Sequence, residues 1–471
     1  AAYAARWDVP LRILESGPGA LAALPAALAP HLPTAEIALV TDGSTKTYLD
    51  GGRTVDVDAV VRRLLPDGVG VRTVTAVQGP HGTVLDEATV AAGTEAARGA
   101  SLLLAVGSGT VTDLAKQAAA ELGLPVVVVQ TAASVNGYAD SLSVLVRGGA
   151  KRTVPSVWPS ALIVDHDVLR GAPDRLTRAG VGDATAAWTG PADWYLACAL
   201  GLDRAFDGPA LAPVLAAAEG LLTADPGRVL RDRPAGDSAE PGPSTSSGAE
   251  ALTALVDTLT LGGLAIGATG TTACLSGVEH LISHLLDMAA MAEGGEHDLH
   301  GAQVGAGSVV AAALWEVALD EVGLATLDPW SLAPPADLRD RVHDSWIGLD
   351  PTGGLDAECW TAVERKFDTW ARHRTETARF LSGWSEHEDV LRHHAFAPEV
   401  PARALQRWGA PLRFSALTPA VEPDRVRWAV RSLPFMRDRF TLVDLLLLAG
   451  RWTDDLVEHV LDRASRAGGG L

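Results

Sequence analysis

Apolar residues follow two rhythms along the chain, and the change from one to the other falls near residue 170. Before it, short unbroken apolar runs alternate with Ala-rich stretches of helical length. Ile37-Ala38-Leu39-Val40 stops at Thr41-Asp42-Gly43, and residues 101–106 (SLLLAV) stop at Gly107-Ser108-Gly109. Residues 126–129 (VVVV) lead into Gln130-Thr131, and residues 161–164 (ALIV) end at Asp165. Continuous runs of Val, Ile and Leu bounded by glycine or polar residues predict strands covered on both faces. Helices are predicted between them over residues 84–98 and 112–122. Strand, glycine turn, helix, strand is the pattern of a parallel, Rossmann-like α/β sheet, expected over residues 1–170.

Beyond residue 170 strand-like runs almost vanish. Long Ala/Leu-rich segments over residues 183–200, 251–265, 277–290, 303–324 and 357–384 predict helices, and so an all-α second domain over residues 171–471. The active site is expected in the cleft between the two domains. Residues 225–249 are rich in Pro, Gly, Ser and charge, which predicts a flexible loop between two helices. Most of the 13 tryptophans lie beyond residue 150. Their number in a helical half predicts packing residues rather than a ligand platform.

Composition narrows the function. A chain of 471 residues is long enough for two sizeable cores. Its formal net charge of -20 argues against nucleic acid and anionic membranes as partners, and requires a local positive pocket for any phosphorylated substrate. Cys198, Cys274 and Cys359 are far apart, so neither a disulfide framework nor a thiolate zinc site is indicated. The apolar runs read as short or broken, residues 445–450 being too few to span a bilayer. Arg6, Asp8 and Arg12 interrupt the start, so no signal peptide is read and the cytoplasm is the expected compartment.

Three constellations could carry chemistry. The first runs from Val106 through Gly107-Ser108-Gly109-Thr110 to Asp113 and Lys116: strand, glycine turn, helix. Such a turn lets backbone approach a phosphate, and the helix N-terminus favours an anion. It equally fits a plain βα turn with an ion pair between Asp113 and Lys116. The second, Gln130-Thr131-Ala132-Ala133-Ser134-Val135-Asn136-Gly137, follows a strand at its carboxyl end, where open sheets bind ligands; alone it also fits an ordinary loop. The third is Gly180-Val181-Gly182-Asp183 with Glu279-His280, His284, His297, Asp298 and His300. One carboxylate and two imidazoles can bind a divalent metal and leave a position open. Taken singly, these residues also fit a capping Asp and satisfied core histidines.

In this order the segments resemble the iron-containing alcohol dehydrogenase and dehydroquinate synthase-like superfamily, nearest to its sn-glycerol-1-phosphate dehydrogenase branch. The family turn GGGSxxDxAK reads GSGTVTDLAK here, and the loop PTAASxDG reads QTAASVNG. GxGD followed by DWxLA appears as GVGDATAAWTGPADWYLA, and SGSEHxxSH with LHGxxVGxG as SGVEHLISH and LHGAQVGAG. MRDRFTLVDLLLLAG is similar to the branch's closing segment. The motifs span roughly residues 37–450.

The resemblance implies an NAD(P)-dependent oxidoreductase acting on a CH-OH group. Its substrate would be a small phosphorylated polyol or ketone, sn-glycerol-1-phosphate or dihydroxyacetone phosphate foremost, and its assembly a homodimer. Gly107, Ser108, Gly109 and Thr110 would cradle the pyrophosphate, with Asp113 in the same cofactor set. Thr131 and Ser134 would line the nicotinamide side. Asp42 would meet the adenine ribose, favouring NAD over NADP. Asp183, His280 and His300 match the family's ligands for one divalent metal, zinc first, with iron or nickel also fitting. Lys116, Asn136 and His284 complete the set as catalytic residues. Ser108 replaces the middle glycine, which an ordinary φ would allow. Asn136 replaces the family Asp; an amide still hydrogen-bonds but is no general base. The main alternative is an NAD-dependent sugar-phosphate cyclase without net redox, disfavoured by Asp183 in place of Glu and by the scarcity of lysine after GVGD. A catalytically dead binding member would rest on Asn136 alone.

Overall fold

The computed structural model describes residues 3, 6–31, 36–76, 85–147, 150–230 and 248–471. By backbone proximity they form two compact units. The first comprises Ala1–Arg147, Lys151–Gly180 and Ala216–Ala268; the second comprises Gly148–Ala150, Val181–Leu215 and Thr269–Leu471. The chain therefore returns to the first unit after entering the second. A long helical stretch beyond residue 170 packs with the sheet-bearing unit.

The first unit is built on strands β1 (Ile13–Gly17), β2 (Glu36–Thr41), β3 (Thr47–Asp50), β4 (Arg53–Asp56), β5 (Gly70–Thr75), β6 (Leu102–Gly107), β7 (Val126–Gln130), β8 (Leu142–Arg147), β9 (Ala150–Pro155) and β10 (Ala161–Asp165). Six of them form a parallel sheet in the order β1-β10-β7-β6-β2-β5, while β3-β4 and β8-β9 are separate hairpins. All four apolar runs of the sequence are inner strands, and β6, β7 and β10 are buried along their whole length. That is what helices on both faces of a sheet require. The two edge strands lacked so plain a pattern: β5, GVRTVT, buries only Val74.

Strand order fixes the place where a ligand fits. The chain passes from β2 outward to β5, then crosses back to β6 on the other flank of β2. The connections after β2 and β6 thus leave in opposite directions and open a crevice at the carboxyl ends of these neighbours. In open α/β sheets this switch point is the binding crevice. Thr41-Asp42 closes β2, and Gly107-Ser108 closes β6; the register Val40↔Ala105 sets them side by side.

The second unit is helical. Several predicted helices are shorter than expected. The 183–200 segment divides into Asp174–Ala184, a 3-10 turn Thr185–Trp188 and Gly190–Ala199. The 357–384 segment breaks at His373 and Gly383. Two helices, Gly248–Thr269 (all but its last residue in the first unit) and His300–Asp320 of the second, are long and apolar enough to cross a membrane by length and composition, contrary to the sequence reading of short runs. Both are core helices here, with 67% and 89% of their apolar windows buried. Trp188, Trp194, Trp315, Trp346, Trp370 and Trp408 are buried as the packing reading expects; Trp330 is exposed. Of the loop expected over 225–249, residues 231–247 lie outside the described residues. The flanks form a 3-10 turn, Pro226–Arg228, and the start of the Gly248–Thr269 helix.

Candidate active site

In the second unit three helix-borne side chains converge. Gly182 and Gly305 lie where the Asp174–Ala184 and His300–Asp320 helices meet. A Cβ on Gly182 would stand 2.0 Å from the Gly301 carbonyl oxygen, and one on Gly305 would be 2.9 Å from Gly182 Cα. Backbones this close set Asp183 beside His300. Gly307 does the same for the Val278–Ala292 helix, its Cβ position being 2.9 Å from the Glu279 carbonyl oxygen. Gly182, Gly305 and Gly307 therefore serve helix contact, and the contact assembles the cluster.

Asp183 Oδ1 lies 3.6 Å from His280 Nε2 and 3.9 Å from His300 Nε2. One donor atom from each of the three residues lies within 4.8 Å of the others, the spacing for a single cation. Each imidazole is oriented from behind. His280 Nδ1 meets the buried carboxylate of Glu279 at 2.9 Å, which also accepts from Gly277 N at 2.6 Å and Thr189 Oγ1 at 2.9 Å. The Ser283 hydroxyl donates its one proton to Gln303 Oε1 at 2.7 Å, so at its 2.9 Å contact with His300 the Nδ1 must donate. With each Nδ1 donating, the Nε2 atoms of the neutral imidazoles would offer their lone pairs to a shared cation, the arrangement that outer partners impose on metal-binding histidines. Without a cation, burial disfavours the His280 imidazolium, but bonds to Asp183 and Glu279 outweigh it and raise its pKa to about 9.

His284 stands next to this group, its ring centroid 5.5 Å from that of His300, but supplies no donor to the triad. His297 is turned away, with Nδ1 3.0 Å from Asp287 Oδ1. Asp298 takes the backbone N–H groups of Leu299 and Thr418. Asp193, which the sequence reading passed over, is buried and accepts from Val278 N at 3.0 Å and Leu442 N at 2.9 Å. It ties the start of the Val278–Ala292 helix to the C-terminal segment, and burial lifts its pKa to about 7. Arg439, in the closing motif, reaches Ser276 O and Oγ, both at 2.6 Å.

In the first unit the glycine turn lies at the switch point. Ser108 has φ -91 and ψ -167, an ordinary extended conformation, so the family glycine is dispensable there. Gly107 is not: a Cβ would sit 2.6 Å from Val111 Cβ. The Gly109–Leu122 helix starts with no side-chain cap, and Ser108, Gly109 and Thr110 are half-buried at its mouth. Uncapped N–H groups at a glycine turn suit a pyrophosphate. Thr131 and Ser134 are buried in the adjoining loop; Thr131 N donates to Gly107 O at 3.1 Å, and Ser134 Oγ is 3.2 Å from Tyr138 Oη. The Asn136 carbonyl oxygen accepts from Tyr138 N at 2.9 Å.

Two residues grouped with the chemistry are engaged within the fold. Lys116, expected to be catalytic, is fully buried; it donates to Asp140 Oδ1 at 2.8 Å, to Gly137 O at 2.9 Å and to Leu142 O. All three ammonium protons are used in folding the segment after Asn136. Asp113, expected to bind cofactor, accepts from Val144 N at 3.3 Å, and burial raises its pKa to about 6. Lys46 was missed altogether: its Nζ donates to Asp42 Oδ1 at 2.7 Å, at the carboxyl end of β2. An ammonium four residues from a predicted ribose-binding carboxylate was the available signal.

A crevice at the switch point of a parallel sheet and an Asp/His/His donor set are features that can serve a nucleotide and a divalent cation. Comparison with known proteins names the family. Residues 15–173 match the family model described as iron-containing alcohol dehydrogenase. A glycerol-1-phosphate dehydrogenase [NAD(P)+] of Methanosarcina mazei is 32% identical over 274 residues, 58% of this chain and 68% of the relative. The like-named Bacillus subtilis protein is 30% identical over 228 residues, 48% of this chain and 54% of the relative, so the chain spans about half the length of that protein. Among solved structures, glycerol dehydrogenase from Schizosaccharomyces pombe is similar in fold, with TM-score 0.57 at 14% identity and coverage of 97% of this chain and 90% of that one. An iron-containing alcohol dehydrogenase from Thermotoga maritima gives 0.53 at 15%, covering 96% and 98%. The chain belongs to the iron-containing alcohol dehydrogenase family.

Proposed function

We propose that the protein is a metal-dependent, NAD(P)-linked dehydrogenase of a small polyol phosphate, working between sn-glycerol-1-phosphate and dihydroxyacetone phosphate or a close analogue. The observation that carries this reading is the convergence of Asp183 with two imidazoles whose outer nitrogens are already engaged. The names borne by the relatives from Methanosarcina mazei and Bacillus subtilis support the substrate class.

In this reading Asp183, His280 and His300 hold one divalent cation, zinc first. A cation held there would supply Lewis acidity to the substrate oxygen, and a bound nicotinamide would supply the hydride acceptor or donor. Glu279 and Ser283 fix the imidazole tautomers, so little reorganisation is needed on binding. Gly107 to Thr110 hold the pyrophosphate. Thr131 and Ser134 exclude water from the nicotinamide side, and Asn136 hydrogen-bonds a substrate hydroxyl without taking its proton.

The test is oxidation of NADH and NADPH, followed by absorbance, with dihydroxyacetone phosphate on zinc-loaded and on chelator-treated protein. Turnover by the loaded protein alone is expected. Tight zinc and nucleotide binding with no turnover would remove this substrate, and Asn136→Asp would then show whether the amide is the reason.

A further inference from the structure

A carboxylate at the end of β2 is ordinarily read as selecting the free 2′-hydroxyl of NAD, because a 2′-phosphate would be repelled. The surroundings of Asp42 alter that reading. Its Oδ1 accepts from Ser44 N at 2.9 Å, Ser44 Oγ at 2.7 Å and Lys46 Nζ at 2.7 Å. Lys46 reaches Thr41 Oγ1 at 3.3 Å and Ser44 O at 3.1 Å as well, so the ammonium is folded back over the strand end. Both partners are mostly shielded, with side chains 13% and 20% exposed. Burial works against the Asp42 charge, yet bonds from Lys46 and Ser44 prevail and hold its pKa below the usual value. Asp42 is therefore ionised, and its charge is balanced by a cation on the spot. Asp58 is a second carboxylate near enough to feel Lys46, and burial keeps its pKa raised.

We infer that Lys46 is the residue that lets this crevice take a 2′-phosphate, as a mobile ammonium that rests on Asp42 and turns to the phosphate when one is present. With NAD, the pair stays closed and Asp42 meets the ribose hydroxyl. With NADP, Lys46 exchanges two neutral acceptors and one carboxylate for a phosphate of higher charge. A lysine suits this part: its charge is compact, its four-carbon stem swings, and it binds phosphate as a point charge. The inference rests on the nucleotide lying in the β2-β6 crevice, the reading proposed above.

The test is direct binding, without substrate or turnover. Dissociation constants for NADH and NADPH are measured by fluorescence on the zinc-loaded wild-type chain and on Lys46→Met, Lys46→Arg and Asp42→Asn. The ratio of the NADPH constant to the NADH constant should rise about tenfold or more in Lys46→Met, the loss of one charge-assisted contact. Lys46→Arg should restore it, and Asp42→Asn should move it the other way. An unchanged ratio in Lys46→Met, with both nucleotides still bound, would overturn the inference. An equal loss of both nucleotides, with lowered thermal stability, would also overturn it and make Lys46 a strand-end brace. Failure of the wild-type chain to bind either nucleotide would instead sink the functional reading on which the inference depends.

Discussion

At single residues, outer contacts decide what the inner ones can do. Glu279 carries a buried negative charge; burial works against it, but the bonds to His280 Nδ1 and Gly277 N prevail and hold its pKa down. Glu279→Gln should weaken zinc binding by about 10- to 100-fold, the usual effect of losing an outer-shell partner, with the fold retained. Competition against a chromophoric chelator reads this, and unchanged affinity would show that Glu279 does not position His280. Lys116→Met tests the reassignment of that lysine. It leaves the buried Asp140 without its cation, and should destabilise the protein by about 3–5 kcal/mol in urea unfolding. Loss of turnover at undiminished stability would return Lys116 to the chemistry.

His394 offers a pH test away from the metal. It is buried against Phe206, and burial together with neighbouring His393 lowers its pKa to about 4 from 6.5. The unfolded chain binds a proton in that window while the folded chain does not. The stability it contributes is present above pH 6.5 and is lost as pH falls toward 4. His394→Phe should flatten the acid limb of the urea midpoint between pH 7 and pH 4.5. An identical slope in the variant would contradict the assignment.

At the scale of elements, helix contact assembles the triad. The GVGD and HGAQVGAG motifs carry the ligand candidates, and their glycines act by letting backbones touch. Gly182→Ala would place a methyl group 2.0 Å from the Gly301 oxygen, and the helices would have to part. We expect a stability loss of about 1–3 kcal/mol, typical of overpacking, together with loss of tight zinc binding, because Asp183 and His300 separate. Retained zinc affinity alongside the stability loss would show that the triad tolerates the shift.

The same scale explains what the sequence revealed. Inner strands were legible because burial on both faces leaves unbroken runs such as residues 126–129. Edge strand β5 was not, since a half-exposed edge admits Arg72 and Thr73. Helix lengths were overread where composition stayed helical across a break, as at Thr189-Gly190 and Gly383. Of the site, Asp183, His280 and His300 were reached through the resemblance of GVGD, SGVEHLISH and LHGAQVGAG to family motifs, and the fold brings these three side chains together. Lys46 and Asp193 escaped notice because their meaning comes from partners that the fold supplies.

Over the whole molecule, one unit carries a switch-point crevice on a parallel sheet, and the helical unit carries the Asp183/His280/His300 donor cluster. Everything proposed about activity depends on that cluster holding a cation. The most direct measurement is a zinc titration of chelator-treated protein, scored as bound equivalents per chain, on the wild type and on Asp183→Asn, His280→Ala and His300→Ala. The account predicts one tight equivalent in the wild type and none in any variant that stays folded. A tight equivalent that persists after all three residues are replaced would place the metal elsewhere and contradict it.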